Sequence, residues 1–286
     1  MLSAPKHKSL AYRNMWRLLR SSQFLVGGAV VAVIIIMAIF APWIAPYEPF
    51  ERDRDSRLEK PSLEHLFGTD WLGRDLFSQI VYGSRLTLYI GFVSVGIALT
   101  VGVALGITAG YFGGWWNTLV TAVVDVMLAF PSFVLALSIV AVLGPSLTNA
   151  MIAVGVRGIP VFARLARGEA LRLRETEYIE AAKALGATNA RVIWSSLLPN
   201  AFSPLLVMAT LQFPFAILMT AGLSFLGLGA QPPTAEWGRL IVGARDLLME
   251  APWLVNIPGM AIMATVIGFN LLGNALRDVL DPRLQD

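Results

Sequence analysis

The chain has 286 residues, 56% of them hydrophobic and 14% charged, with a mean hydropathy of +0.65. Soluble domains carry about a quarter charged residues, so that class is excluded. No cysteine is present and the two histidines, His7 and His65, lie far apart. Disulfides, thiolate nucleophiles and a Cys- or His-based metal cluster within one chain are therefore excluded as well, and a net charge of +3 reflects topology rather than nucleic-acid binding.

The charge deficit is concentrated in uncharged runs at 21–47, 86–124, 126–156, 192–235 and 251–276. A bilayer core takes roughly 20 apolar helical residues to cross, and backbone in lipid must satisfy its own hydrogen bonds. These runs predict an all-α transmembrane protein. A basic leader, 1–23, carries Lys6, Lys8, Arg13, Arg17 and Arg20, and the apolar segment behind it is too long for a signal-peptide core. It predicts an uncleaved first span within 24–46. Residues 47–85 follow as a polar loop containing the charge run "ERDRDSRLEK". Within it, Trp71, Leu72, Leu76, Phe77, Ile80 and Val81 predict a short interfacial helix, with Trp71 and Tyr82 as belt aromatics.

A five-helix core is predicted over 86–276, with spans near 86–109, 118–143, 147–165, 202–226 and 255–275 and a tail at 277–286. Six spans put both termini on one side. Segments on that side hold thirteen Lys and Arg against eight in the opposite loops, where eleven Asp and Glu accompany them. The excess of positive charge predicts cytoplasmic termini. Gly102, Gly106 and Gly110 form a small-residue stripe for close helix packing. Pro131, Pro160 and Pro214 interrupt three spans, and Asp125 and Arg157, each about 12 Å deep by helical rise, are expected to meet as an intramembrane polar pair.

One segment breaks the apolar pattern. "ETEYIEAAKALGATNARVIWSSLLPN" (175–200) is charged and rich in alanine. Tyr178, Ala181, Ala182 and Leu185 recur at helical spacing. Gly186 can end that helix in the left-handed conformation, Thr188 or Asn189 can cap a second short helix, and Pro199 is expected to close the unit. On pattern alone, an amphipathic loop lying on headgroups and a docking surface for a cytoplasmic partner both fit.

"EAAKALG" at 180–186 with "LP" at 198–199 resembles the EAA loop of ABC-importer permeases, with Ser196 where the consensus has isoleucine. "FGTDWLGRDLFSQIVYGSRLTL" (67–88), "AFPSFVLAL" (129–137), "LSFLGLGAQPPTAEWGRLI" (223–241) and "LRDVLDPR" (276–283) resemble the C-type permease of dipeptide and oligopeptide importers across essentially the whole chain. Gln79 stands where that family often has arginine. The resemblance implies a six-helix type I ABC-importer permease fold whose cytoplasmic EAA loop, 167–199, contains a coupling helix. It places Tyr178, Glu180, Ala181, Ala182, Leu185, Gly186, Ala187 and Thr188 against an ATP-hydrolysing subunit.

The implied assembly, in a bacterial or archaeal cytoplasmic membrane, contains a related B-type permease, two ABC ATPases and an extracytoplasmic substrate-binding protein. No GxxxxGK[ST] phosphate loop occurs. ATP and Mg are thus expected on the partner ATPases, with no cofactor and no catalytic residue on this chain. Related importers move nickel chelates, glutathione or other small solutes. An ion-coupled secondary transporter or channel is the rival class, but it calls for more membrane carboxylates or paired broken helices. A purely structural membrane subunit would leave the EAA-like loop unexplained.

Overall fold

The computed structural model describes residues 18–280, so most of the basic leader, with His7, and the end of the tail lie outside the described residues. The elements that position the site are α1 (Ser22–Ile39), the short α2 (Ala41–Ile44), α3 (Leu76–Phe112), α4 (Gly114–Ala129) and α5 (Ser132–Leu143). They continue with α6 (Leu147–Arg174), α7 (Glu177–Ala184), α8 (Asn189–Val192), α9 (Leu198–Phe225), α10 (Trp237–Ala244) and α11 (Trp253–Leu280). Among the described residues, five helical stretches are long and apolar enough to cross a membrane, and α4 with α5 makes a sixth if the bent pair is one span.

The centre of the bundle is α3 against α6. A Cβ on Gly102 would stand 2.7 Å from the Ile159 carbonyl oxygen, one on Gly110 would stand 2.7 Å from that of Arg167, and one on Gly106 would overlap that of Ala163. Two further glycines reciprocate from α6. A Cβ on Gly158 would lie 2.7 Å from the Ala98 Cβ, and one on Gly155 would lie 2.8 Å from that of Ile97. Without a hydrophobic force between helices in lipid, this backbone approach is what holds the pair. The sequence stripe on α3 thus has a counterpart on α6 that spacing alone did not single out.

Three expected boundaries move. Residues 76–85 are not a separate interfacial helix but the first turns of α3, which runs unbroken for 37 residues, and Trp71 and Leu72 lie outside it. The expected third span breaks at Phe130–Pro131, where α4 and α5 meet at 96°. Proline cannot supply the amide that would continue α4, and Phe130 turns to an extended ψ of 137°. Finally, Pro199 does not close the hairpin. A π turn over Ile193–Leu197, in which the Leu198 amide donates back to the Ile193 carbonyl, leads directly into α9. Pro199 sits in the first turn of α9, where its missing N–H is tolerated.

The loops 45–75 and 226–252 fold together as a cap over the N-terminal end of α3. Asp75 caps that helix, accepting from the Ser78 amide at 2.7 Å, and its other oxygen accepts from His65 Nδ1 at 3.0 Å. Asp70 accepts from the Leu72 and Arg74 amides, from Arg74 Nε at 2.7 Å and from Gln79 Nε2. Trp237, fully buried, donates from its indole to the Ile80 carbonyl at 3.1 Å. Arg85 reaches back to the Ala38 and Ile39 carbonyls, satisfying the C-terminal end of α1.

Candidate functional site: the helical hairpin

Residues 175–200 form a hairpin at the end of the bundle opposite the cap. Helix α7 ends in a Schellman motif. The Gly186 amide donates to the Lys183 carbonyl at 2.9 Å and the Ala187 amide to the Ala182 carbonyl at 3.0 Å. Gly186 has a φ of +83°, which L-residues with a side chain adopt only under strain, while the space around it is open. Thr188 then caps α8 by accepting the Arg191 amide at 3.3 Å. The glycine therefore sets the turn, and the threonine starts the return.

The hairpin is anchored from beneath. Ile179 is fully buried, as are Val192 and Leu197. The face built from the expected helical spacing points the other way: Tyr178 is 46% exposed and Leu185 90%, and Glu180, Ala181 and Thr188 are also exposed. Glu180 makes no ion pair among the described residues. Trp194, 73% exposed, extends the same unpartnered region onto the π turn. Ile179 was missed from the sequence. Its signal was a single β-branched residue among charged neighbours, off the apolar stripe.

Three spans meet the hairpin. Helix α6 runs into it through Glu175 and Thr176, and α8 runs out of it through the π turn into α9. The third connection is to α3. The Tyr111 hydroxyl donates to Asn189 Oδ1 at 2.8 Å, and Lys183 Nζ lies 5.0 Å from the centre of the Tyr111 ring. Arg174 adds a hydrogen bond to the Gly110 carbonyl at 3.0 Å. The hairpin is therefore joined to α3, α6 and α9 together.

The structure does not bring Asp125 to Arg157. Asp125 pairs with Arg164, two turns further along α6, at 2.8 Å, and both side chains are more than half exposed. The depth count took the near ends of the two helices at 118 and 165, but α4 begins at Gly114 and α6 runs on to Arg174, which puts Arg164, ten residues from its end, level with Asp125, eleven from its own. Arg157 donates instead to Ser132 Oγ at 3.0 Å and packs 4.1 Å from the centre of the Phe215 ring.

On the cap, a cavity of about 610 Å³ opens between the Arg74–Gln79 segment and α10, and Arg52, Asp70 and Arg239 also line it. Glu236 closes the N-terminus of α10 by accepting the Gly238 and Arg239 amides at 2.9 and 2.8 Å. Burial pushes its carboxyl above the ordinary glutamate value, against the opposing effect of those two amides. Asp53, in the exposed loop, is held below the usual aspartate value by the Asp55 amide and the Ser56 hydroxyl.

Residues 102–286 match the family described as the binding-protein-dependent transport system inner membrane component, and residues 9–61 match the N-terminal transmembrane domain of oligopeptide transport permease C. A dipeptide transport system permease protein of Alkalihalophilus pseudofirmus is 47% identical over 96% of this chain and 90% of its own. A di/tripeptide transport system permease protein of Pseudomonas aeruginosa is 42% identical over 96% of this chain and 93% of its own. Among solved structures, the fold is similar to the inward-facing MetNI methionine ABC transporter. The TM-score is 0.58 at 22% identity, over 71% of this chain and 97% of that one.

Proposed function

The chain belongs to the binding-protein-dependent transport permeases, the multi-pass inner-membrane subunits of ABC importers, and on that premise we propose that it forms half of a pore for dipeptides and oligopeptides. Its relatives' named substrates support the peptide reading. The other half of the pore is a related B-type permease, and the energy comes from two ABC ATPases. The hairpin lies on the cytoplasmic side with both termini, in keeping with the excess of Lys and Arg in those segments. The cap faces the substrate-binding protein.

The observation that carries this reading is the inversion of the hairpin. Its buried anchor, Ile179, faces the bundle while Tyr178, Ala181 and Leu185 face outward with the free Glu180 carboxylate beside them. A loop folded only for its own stability would turn that stripe inward. Closure of the ATPases pushes on α7 and α8, and the connections to α3, α6 and α9 convert the push into rigid-body tilting of spans. A binding protein that docks on the cap more tightly in one state biases the same equilibrium. The chain acts as conduit and lever, with ATP hydrolysis left to its partners.

The test is ATP-dependent uptake of a labelled dipeptide in vesicles holding the whole complex, wild type against Glu180→Arg. Wild type is expected to take up peptide, and the variant to insert normally but lose both ATPase docking and uptake. Unchanged docking in the variant would remove Glu180 from the interface. Uptake without any ATPase would sink the importer reading.

A further inference from the structure

Once Asp125 is taken by Arg164, Arg157 is a cation inside the bundle with no carboxylate beside it among the described residues. It lies ten residues into α6, about 15 Å along the axis by helical rise. An ionised side chain at such depth is costly, and it faces a partner charge or a water-filled cavity. The guanidinium has five donors. Ser132 Oγ accepts one hydrogen bond and the Phe215 ring covers one face, so most of its donor capacity is unspent.

Arg157 stands where α5, α6 and α9 converge, beside the break at Phe130–Pro131. Irregular backbone at membrane depth is tolerated where it is covered by protein or lines water, and in this chain Phe130, Pro131 and Phe133 are exposed. Gln212, in the same crevice, makes no side-chain hydrogen bond among the described residues. Arg157, Gln212 and Phe215 thus line one crevice, a planar cation and a neutral amide together with the ring that stacks on the cation. A carboxylate next to a peptide amide is the ligand chemistry that matches both.

We propose that Arg157 contacts the C-terminal carboxylate of the peptide in transit, with Gln212 receiving the adjacent amide and Phe215 the side of the chain. This rests on the peptide-importer reading above. Ser132 and Phe215 already share the guanidinium, so the contact is strong enough to orient a passing carboxylate and weak enough to release it, as conduction requires. The carboxylate need only replace water on the free donors, and a charge-assisted pair favours it over a neutral terminus.

The experiment uses the full complex in vesicles, with saturating loaded binding protein and two labelled substrates, a dipeptide and its C-terminal amide. Arg157→Gln is expected to lower maximal uptake of the free acid roughly tenfold, the scale of one lost charged hydrogen bond, and to leave the amide unchanged, so discrimination disappears. Arg157→Lys keeps the charge and should keep most of the discrimination. Equal uptake of the acid by Arg157→Gln and wild type overturns the assignment while leaving the importer reading intact. An equal fall for both substrates, in both variants, assigns Arg157 to bracing the helix break and overturns it too. Loss of the second permease from purified Arg157→Gln complex would place the charge at the subunit interface instead. A wild-type complex that hydrolyses ATP but moves neither peptide removes the peptide reading, and this assignment with it.

Discussion

At its N-terminal end α3 begins from Asp75, buried with His65 inside a cap in which the carboxylates of Asp70, Asp75 and Glu236 find partners within the chain, whereas at its C-terminal end Tyr111 reaches a hairpin that exposes Tyr178 and Leu185. The cap is built from Asp70, Arg74, Gln79, Trp237 and Glu236, each with a buried or half-buried partner. The hairpin has a buried anchor at Ile179 and a glycine turn, and otherwise exposes Tyr178 and Leu185. The contrast separates a module whose charged groups are largely paired internally from one that leaves an apolar stripe exposed. Helix α3, about 55 Å long at 37 residues, joins the two, so a signal at either end has a rigid route to the other.

The sharpest way to test that division is to damage the cap alone. Trp237→Ala removes a fully buried indole from the cluster with Leu76, Ile80 and Leu254. Large-to-small changes of this kind cost about 3–5 kcal/mol. The thermal midpoint of the purified protein should fall by several degrees, while ATPase capture by the hairpin below that midpoint stays normal. If capture fails at temperatures where the variant is folded, the two ends are not separate modules.

A smaller change tests the joint between them. Tyr111→Phe keeps the ring that faces Lys183 and deletes only the hydroxyl that donates to Asn189. One hydrogen bond contributes about 1 kcal/mol, so global stability should barely move. Hydrogen exchange should rise in 185–192, and the stimulation of ATP hydrolysis by loaded binding protein should weaken relative to the basal rate. Unchanged exchange would mean that α3 is not clamped to the hairpin through this contact, leaving transmission to α6 and α9.

Much of this architecture is legible in the sequence, and the parts that are not share a cause. The spans, the glycine stripe on α3 and the Gly186 turn follow from local chemistry: apolar length, small-residue spacing and φ freedom. The start of α3 was hidden because Gln79, Ser84 and Arg85 interrupt the apolar run. Those side chains donate to Asp70, the Val81 carbonyl and the end of α1, and Gln79 Oε1 is left buried without a partner. The partner of Asp125 was misread because pairing depends on the relative level of two helices, and α6 runs nine residues past the end its apolar pattern suggested. Ile179 escaped because the hairpin leaves its apolar stripe exposed and keeps its buried anchor off that stripe. In each case the deciding contact is tertiary, and the sequence carries its chemistry without its address.

The smallest expected effect is a slope with pH, and it too belongs to the cap. Burial raises the Glu236 carboxyl above its ordinary 4.5, although the Gly238 and Arg239 amides pull the other way. A carboxyl whose folded value is raised binds its proton more tightly folded than unfolded. Its contribution to stability is therefore present below 4.5 and is lost as pH rises through the raised value. Glu236→Gln keeps an acceptor for α10 but cannot ionise. Between mildly acidic and neutral pH, the wild-type thermal midpoint should decline more steeply than that of the variant, with ATPase docking at the hairpin unaffected in both. Parallel slopes would mean that the two amide hydrogen bonds offset the burial of the charge completely. A steeper decline in Glu236→Gln would reverse the sign and make the ionised carboxylate, held at the N-terminus of α10, a net support of the cap.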